Sequence, residues 1–442
     1  MAKTFRAWDV DQEWLLPPSV HDFVPAGHAA HLIRDLVRET LDLQAIMDAY
    51  PEERGQPPYH PAMMTALLLY AYSRGIYASR RIAVACEERV DVMAVTGLQR
   101  PDFRTISDFR KRHLEALGAL FVQVLTWCRE AGLVKLGHVA LDGSRIKANA
   151  SKHKAMSYGR MVQAEAALAA AVARWLAAAE AADAADDAAL GADRRGDELP
   201  EWVADKARRL AKIRAAKAAL EAAAREQAAA DGDPVAAEPA PPPRRGRPPM
   251  SPPGTPADQA QRNFTDPDSR ILKTKDGFIQ GYNAQAAVDG AQQIIVAHGL
   301  SNGNDQDQLS PLLDAIQSHT GRQPKEISAA AGSCSEANLE VLEGRGIRGY
   351  VATGRQRHGQ AAATGRGRQQ GPRVRAMRQR LGRGGFRSRY RFRKQIVEPV
   401  FGQIKQARGF RQFLLRGLTA VRHEWALVCT AHNLAKLTRA LA

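Results

Sequence analysis

Apolar side chains recur every three or four residues along the first third of the chain. The spacing is clearest in residues 32–41, 63–72 and 105–134. This period places the apolar side chains on one face of an α-helix, which can then pack against a core. We therefore predict that residues 1–136 form a helical N-terminal domain.

A break at Ser73-Arg74-Gly75 separates the second helical run from a further helix that carries Arg80 and Arg81. Two helices joined by a short turn are found in helix-turn-helix DNA-binding domains, and also in ordinary packed helical hairpins. The turn glycine is common to both arrangements. The sequence therefore leaves both interpretations of this segment open.

The pattern changes to that of β-strands at His138. A short apolar run, residues 139–141, is followed by Asp142-Gly143 and a second strand-like piece, residues 145–148. An Asp-Gly pair is typical of a turn, so we expect Asp142 at the end of a strand.

An alanine-rich span then separates this strand from the remaining strands. Residues 157–233 favour one or two long helices, with a break between residues 191 and 200. Residues 234–262 are predicted to form a Pro/Arg-rich linker, whose proline-rich part, residues 234–256, cannot join a sheet. Because strand patterns resume afterwards, we interpret residues 157–262 as an insertion into the domain formed by residues 137–156 and 263–442.

The resumed pattern alternates strands and helices, which is typical of an α/β layered sheet. The predicted strands are residues 278–288, 293–298, 326–331 and 349–352, with a two-residue turn at Asp289-Gly290. The predicted helices are residues 305–320 and 335–344 and a last helix around Glu398, which follows a Gly/Arg-rich loop at residues 354–385.

The charge balance indicates a polyanionic partner. The net charge is +16 and the pI is near 9.9, which makes nucleic acid the first partner to consider. No apolar stretch reaches the roughly 18 residues of a membrane span, and the N-terminus has acidic residues where a secretory signal has its apolar core. We therefore expect a cytoplasmic protein with no membrane partner. The four cysteines show no Cys-x-x-Cys pair that would indicate a zinc site.

Glu398 is the only acidic residue between Glu343 and Glu424, a segment rich in arginine. A glutamate in a first helical turn can interact with the helix dipole, and it can also be a metal ligand on a DNA-binding surface. Together with Asp142 at a strand end, it matches an RNase H-like sheet, in which carboxylates from strand ends and a late helix converge on divalent metals. Oxygen ligands are those that Mg²⁺ prefers.

Several strings along the chain resemble bacterial insertion-sequence transposases of the DDE (Asp-Asp-Glu) type. The resemblance covers nearly the whole chain apart from the alanine-rich span. The strings that carry it are FRAWDVDQEWLLPPSV, PPYHPAMMTALLLYAYSRGIYASRRIAVACE, PDFRTISDFRKRH, LDGSRIKANASKHKAMSY, TDPDSRILKTKDGFIQGYNAQAAVD and VEPVFGQIKQARGFRQFLLRG.

The resemblance implies an RNase H-like catalytic domain that binds two Mg²⁺ or Mn²⁺ ions, with Asp142 as the first acid and Glu398 as the third. It implies double-stranded DNA as the partner, both the terminal inverted repeats of the element and the target, bound by a homo-oligomer. From the resemblance and the basic clusters we predict the following DNA-binding residues: Arg80, Arg81, Lys147, Tyr390, Arg393, Lys394, Lys405 and Arg408.

The chain departs from the family pattern at the second acid. The family has aspartate at the end of the fourth strand of this sheet, in a segment close to Ala-Asp-Ala-Gly-Tyr, whereas this chain has Ala330 and Ser333 at the aspartate and tyrosine positions. A methyl group cannot coordinate a cation. We considered four other acids as substitutes and interpret them as structural, namely Asp289 and Asp305 as turn and cap residues, Glu326 at a strand start and Glu336 on a helix.

Three functions follow from these observations. The first is a transposase whose strand cleavage is impaired by Ala330. The second is a catalytically inactive DNA-binding remnant of a transposase, which would share every basic feature of the first. The third, an RNA-processing nuclease on the same fold, is disfavoured by the N-terminal strings that resemble transposases.

Overall fold

The computed structural model describes residues 19–50, 57–190, 201–230, 252, 254–274, 277–303, 305–354 and 371–441. The chain divides into two compact units. The first comprises Met1–Ser144, Asn283–Leu414 and Thr419–Ala442, and the second comprises Arg145–Tyr282 and Leu415–Leu418.

The N-terminal part of the first unit is helical, as predicted. Its helices are α1 (Ala29–Glu39), α2 (Gln44–Met47), α3 (Pro61–Ser73), α4 (Ser79–Glu88), α5 (Val90–Thr96), α6 (Phe103–Arg112) and α7 (Leu114–Glu130). Helix α3 is central, because it packs against α1 and α5 and its Leu67, Leu68 and Leu69 are fully buried. A helix that is apolar all round is expected in the interior of a helical domain.

The connection between α3 and α4 is held from two sides. Gly75 has a φ of +81°, and a Cβ there would lie 2.7 Å from the carbonyl oxygen of Arg408. The buried Arg110 guanidinium donates to the Tyr77 carbonyl at 2.9 Å and to the Ser79 hydroxyl at 3.1 Å. The two predicted helices and their break are confirmed, whereas the helix-turn-helix function stays a prediction.

The remaining elements alternate between strands and helices. The strands are β1 (His138–Lys147), β2 (Ala155–Ser157), β3 (Gln261–Asn263), β4 (Arg270–Thr274), β5 (Gly277–Asp289), β6 (Ile295–Ser301), β7 (Glu326–Ala329) and β8 (Arg348–Val351). The helices are α8 (Tyr158–Leu190), α9 (Glu201–Ala230), α10 (Leu309–Thr320), α11 (Glu336–Gly344), α12 (Pro372–Gly384), α13 (Phe392–Gly402) and α14 (Leu418–Leu441).

A mixed sheet forms the core of the first unit. Strand β1 pairs in parallel with β7, β7 pairs in parallel with β8, and β5 pairs antiparallel with β6. The strand order β5-β1-β7-β8 places β1 in the interior of the sheet. Helix α14 packs on this sheet, since the Trp425 indole donates to the Gln285 carbonyl at 3.0 Å and the Asn433 amide bonds both backbone groups of Ile295. The predicted α/β class is thus confirmed.

The second unit contains the alanine-rich helices. Helices α8 and α9 pack together around Met161, Ile213 and Leu220, and Glu165 of α8 bonds Arg214 and Lys217 of α9, both at 3.0 Å. The prediction of long helices is confirmed. The predicted break at residues 191–200 lies outside the described residues, as do residues 234–251 and 253 of the predicted linker. In the same unit β2 pairs with β3, and β4 pairs with the first part of β5.

Three local predictions were wrong. The predicted turn at Asp142-Gly143 lies inside the single continuous strand β1. The connection from β5 to β6 is five residues long, because the N–H of Asp289 donates to the carbonyl of Ile294 and closes a wider loop. The predicted loop at residues 354–385 contains helix α12, whose buried residues Val374, Met377 and Leu381 recur at helical spacing.

Candidate active site

Asp142 lies within β1, just beyond the part of the strand that pairs with β7. The register of β1 with β7 runs from His138 opposite Glu326 to Leu141 opposite Ala329, so Asp142 is the first residue after the last pair. One carboxylate oxygen of Asp142 accepts from the N–H of Gly143 at 3.0 Å. Only 18% of the side chain is exposed. The sheet therefore holds this carboxylate in the middle of β1, beside the end of β7 and largely away from water.

Arg393 joins Asp142 to Glu398. Its Nη1 lies 2.6 Å from Oδ2 of Asp142, and its Nη2 lies 3.0 Å from Oε1 of Glu398. Arg393 is only 15% exposed, whereas Glu398 is 43% exposed. A planar guanidinium presents several N–H groups in a fixed fork, so it can hold two carboxylates at once. The first and third predicted acids therefore meet on one cation.

Burial and the Arg393 cation act in opposite directions on Asp142. Burial raises the pKa of the Asp142 carboxyl above its usual value, and this exceeds the lowering by Arg393; the nearby Glu398 adds to the rise. Burial alone would lower the pKa of Arg393, but Asp142 and the hydroxyl of Tyr390, which hydrogen-bonds to Arg393, raise it overall. Arg393 thus remains a cation.

Ala330 lies beside Asp142. The paired register ends at Leu141 and Ala329, and Ala330 keeps an extended backbone with φ −71° and ψ 168°. One further step along both strands sets residue 330 next to residue 142, about 4.8 Å away across the sheet. Paired residues of parallel strands point to the same face. A carboxylate at position 330 would therefore share the face that carries Asp142, whereas this chain has a methyl group there.

Glu326 and Asp289 do not replace the missing acid. Glu326 lies at the opposite end of β7, where it accepts from Arg389 at 2.6 Å and lies 3.3 Å from Nδ1 of His138. Asp289 accepts from the N–H of Leu136 at 2.6 Å and from that of Ala291 at 2.8 Å. Both carboxylates thus have structural partners, as the sequence predicted.

Asp305 lies on the opposite face of the sheet from Asp142. Its Oδ1 accepts from the side-chain amides of Asn283 at 2.5 Å and Gln285 at 2.6 Å. A Cβ on Gly143 would lie 2.8 Å from the same oxygen, and residue 143 points away from the Asp142 face because side chains alternate along a strand. The predicted capping role is therefore replaced by a bond to two amides.

Glu336 has a different structural partner. Its carboxylate accepts from the N–H groups of Arg373 at 3.1 Å and Val374 at 2.9 Å, at the start of α12. An acid in this position satisfies N–H groups that lack a partner within the helix. Glu336 therefore caps a helix from outside and does not face Asp142.

Two family models match the chain. Residues 18–112 match the model described as Transposase domain (DUF772), and residues 354–438 match the model described as Transposase DDE domain. The second match contains Arg393 and Glu398, and the two matches occupy the ends of the chain in the order that the sequence strings predicted. Both matches are to transposase domains, and together they support an insertion-sequence transposase of the DDE type. No curated protein and no solved structure gives a significant match.

The family explains the mixed sheet of the first unit, because the DDE transposase domain is RNase H-like. It also gives a context for the basic charge, because transposases act on DNA. No helix among the described residues is long and apolar enough to cross a membrane.

The acids of this transposase do not complete a metal site. DDE transposases generally use divalent metals, and the family pattern has three acids. Here Asp142 and Glu398 share Arg393, and position 330 has no oxygen ligand. Within the described residues no group of three or more His, Cys, Asp or Glu side chains could hold a metal ion. The residues present therefore do not fit the two-metal arrangement, and we derive no chemical step through a metal.

Within the part of the chain that the structure describes, Arg393, which bonds Asp142 and Glu398, has a hydrogen-bond donor without an acceptor. The Nε of Arg393 is buried and has no hydrogen-bond acceptor among the described residues. A buried N–H without a partner is costly, and native structures contain few of them. The same guanidinium bonds Asp142, the neighbour of residue 330. The buried Nε–H of Arg393 is thus left without an acceptor from the described chain, next to the two acids.

Lys405 lies close to the acids. Its ammonium donates to the Ser144 hydroxyl at 3.0 Å, and Ser144 lies on the Asp142 face of β1, two residues further along. Burial, with a smaller effect of Arg411, lowers the pKa of Lys405. Ser144 gave no signal in the sequence, because a serine after Asp-Gly is also typical of a turn.

Tyr390 and Arg408, both predicted to bind DNA, interact mainly with other side chains of the transposase. Tyr390 is buried against Arg393. Arg408 is half-buried, and its Nη2 lies 3.2 Å from Nδ1 of His432. Their positions indicate that they hold neighbouring elements in place.

The other predicted DNA-binding residues are exposed. Arg80 and Arg81 lie in the first turn of α4, and the Arg80 guanidinium lies 5.0 Å from the ring centre of Phe103. Lys394 is exposed on α13. Lys147, in the second unit, is exposed at the end of β1. All four side chains are therefore available to a phosphate.

Proposed function

We propose that this transposase binds the terminal inverted repeats of an insertion sequence as a homo-oligomer, and that its strand cleavage and transfer are greatly weakened by Ala330. The proposal is supported by the register of β1 with β7, which ends one residue before Asp142 and Ala330, and by Arg393, which bonds both Asp142 and Glu398. The family uses this face for phosphoryl transfer with two Mg²⁺ or Mn²⁺ ions.

DNA binding would use the exposed basic side chains. Arg80, Arg81, Lys147 and Lys394 are exposed, and each could hold a backbone phosphate. Lys405 and Arg393 lie near the acids, where they would contact a strand that enters the site. Because its partner is DNA, we expect the transposase on the nucleoid in the bacterial cytoplasm.

A catalytically inactive DNA-binding remnant is the second candidate function. Ala330 favours it directly, and so does the presence of structural partners on the four acids considered as substitutes. Such a remnant would occupy element ends without cutting them. The two candidates share the same basic residues, so the salt dependence of binding would not separate them.

Binding to element ends tests the part of the proposal that both candidates share. Labelled duplexes that carry the terminal repeats of the element are titrated with the full chain, in competition with permuted duplexes of equal length. We expect the repeats to bind at least about 10³-fold more tightly than the permuted duplexes, in the range of specific DNA-binding proteins. Equal affinities would contradict the proposed recognition of element ends.

Strand cleavage separates the two candidates. The same terminal-repeat duplex is incubated with the chain and with the Ala330→Asp variant, with Mg²⁺ or Mn²⁺. We expect little nicking by the chain and faster nicking by the variant, because aspartate restores the second carboxylate beside Asp142. Nicking by the unchanged chain at the rate of the variant would refute the impairment, whereas no nicking by either protein would favour the inactive remnant.

A further inference from the structure

Helix α12 is firmly docked on the first unit. Its buried residues Val374, Met377 and Leu381 face inward, and the helix contacts α11 and β8. The carboxylate of Glu336 accepts from two N–H groups in its first turn. Helix stability in proteins comes mostly from such packing of an apolar face. The opposite face of α12 is therefore presented on a rigid support.

The outward face of α12 is cationic. At 3.6 residues per turn, Arg375 and Arg383 lie opposite the buried face, and both are exposed. Arg387, just beyond the end of the helix, is exposed as well. None of these three arginines, which we call the α12 arginine face, forms a salt bridge with a carboxylate of the described residues.

Arginines on the flanks of the same helix have partners. Arg373 pairs with Glu340 at 3.1 Å and with Glu343 at 2.9 Å, and Arg380 donates to the Gly349 carbonyl at 3.2 Å. Arg373 and Arg380 therefore bond groups of the protein itself, whereas the α12 arginine face has no carboxylate partner among the described residues. Residues 372–397 contain nine arginines, one lysine and no acid. Like charges this close destabilise the isolated protein, and a bound polyanion would relieve their repulsion.

The chemistry of the helix favours a phosphate backbone over a membrane surface. An interfacial helix inserts an apolar face into the lipid, but the apolar face of α12 is buried in its own unit. The remaining outer positions, Ala376 and Gln379, offer no large apolar group. Arg375 and Arg383 are about 12 Å apart along the axis, a length over which one DNA strand presents about four phosphates.

We propose that the α12 arginine face binds the phosphate backbone of duplex DNA independently of base sequence. The proposal rests on the proposed function, because it takes DNA as the partner. Helix α12 precedes α13, which carries Arg393 and Glu398. Arginines on its outer face would position the duplex and leave sequence recognition to other residues.

The test compares the salt dependence of binding. A random-sequence duplex is titrated at several salt concentrations with the full chain and with the triple variant Arg375→Gln/Arg383→Gln/Arg387→Gln. Each lost phosphate contact makes the negative slope of log K against log salt less steep by about 0.9, so the loss of three contacts predicts a slope less steep by about 2.7. Lysine at the same three positions keeps the charge and should restore most of the slope.

A matched control removes the same charge elsewhere. The variant Arg129→Gln/Arg322→Gln/Arg422→Gln changes three exposed arginines outside α12, and we expect it to keep the slope of the unchanged chain. Two results would refute this inference but leave the proposed function standing. One is an equal loss of steepness in the control, and the other is a loss of less than about 0.5 in the α12 variant. Equal competition by duplex RNA would show that DNA is the wrong partner class. Failure of the unchanged chain to bind any duplex would refute the proposed function and this inference together.

Discussion

Removing the guanidinium between the two acids should destabilise the first unit through Asp142. In the variant Arg393→Ala, Asp142 loses the donor at 2.6 Å while its side chain stays largely buried. Breaking a buried ion pair by removing one partner costs roughly 3–5 kcal/mol, since the remaining charge is left uncompensated. Glu398 is much more exposed, so its lost contact adds less than about 1 kcal/mol. Because Asp142 keeps some contact with water, we expect a loss near the lower end, about 3 kcal/mol.

Urea unfolding at pH 7, followed by tryptophan fluorescence, measures this loss. A double-mutant cycle with Asp142→Asn isolates the Arg393–Asp142 pair, because asparagine has no charge that would be left unpaired when Arg393 is removed. We expect Arg393→Ala to cost only about 1 kcal/mol in that background, which is a coupling energy of about 2 kcal/mol. The neighbouring exposed Lys394→Ala is the control, with an expected change below about 0.5 kcal/mol. Equal losses with and without Asp142→Asn would contradict the reasoning.

Two further predictions concern packing and pH. Gly143→Ala should lower the free energy of unfolding by about 1–3 kcal/mol, because its Cβ would lie 2.7 Å from Asn283 Oδ1 and 2.8 Å from Asp305 Oδ1. Thermal unfolding measures this loss. The control Gly137→Ala, whose Cβ meets nothing within 4 Å, should unfold at the same temperature as the unchanged chain. Burial lowers the pKa of His298 to about 3. Its unfolded imidazole therefore binds a proton below about pH 6.5 while the folded one stays neutral, and stability falls as pH drops towards 3. In urea unfolding between pH 5.5 and 4.5, His298→Phe should flatten this slope by about 1.4 kcal/mol per pH unit, and an unchanged slope would contradict the assignment.

Periodicity predicted most of the fold, because the elements concerned bury one regular face. The N-terminal helices and the strands around β5 and β7 follow from it. It failed where a contact distant in sequence decides the local structure. Gly143 lies within a strand, where side chains from β5 and from the segment before α10 occupy the space that a Cβ would need. The composition of residues 354–385 concealed α12, although the spacing of Val374, Met377 and Leu381 could have revealed it.

The acids of the site could be identified from the sequence only through the resemblance. Asp142 and Glu398 are more than 250 residues apart, and no periodicity predicts that they meet on Arg393. The alanine at position 330 was also visible in the sequence. Its place beside Asp142 required the register of β1 with β7, which depends on the packing of the whole sheet.

Calorimetric titration with Mn²⁺ tests most directly the claim that this transposase lacks one acid beside Asp142. We predict weak or undetectable binding by the chain, and binding at least about 10-fold tighter by Ala330→Asp, because a second carboxylate then faces the cation from the adjacent strand. The gain should disappear in the double variant Ala330→Asp/Asp142→Asn. Equal Mn²⁺ affinity of the chain and of Ala330→Asp would contradict the account.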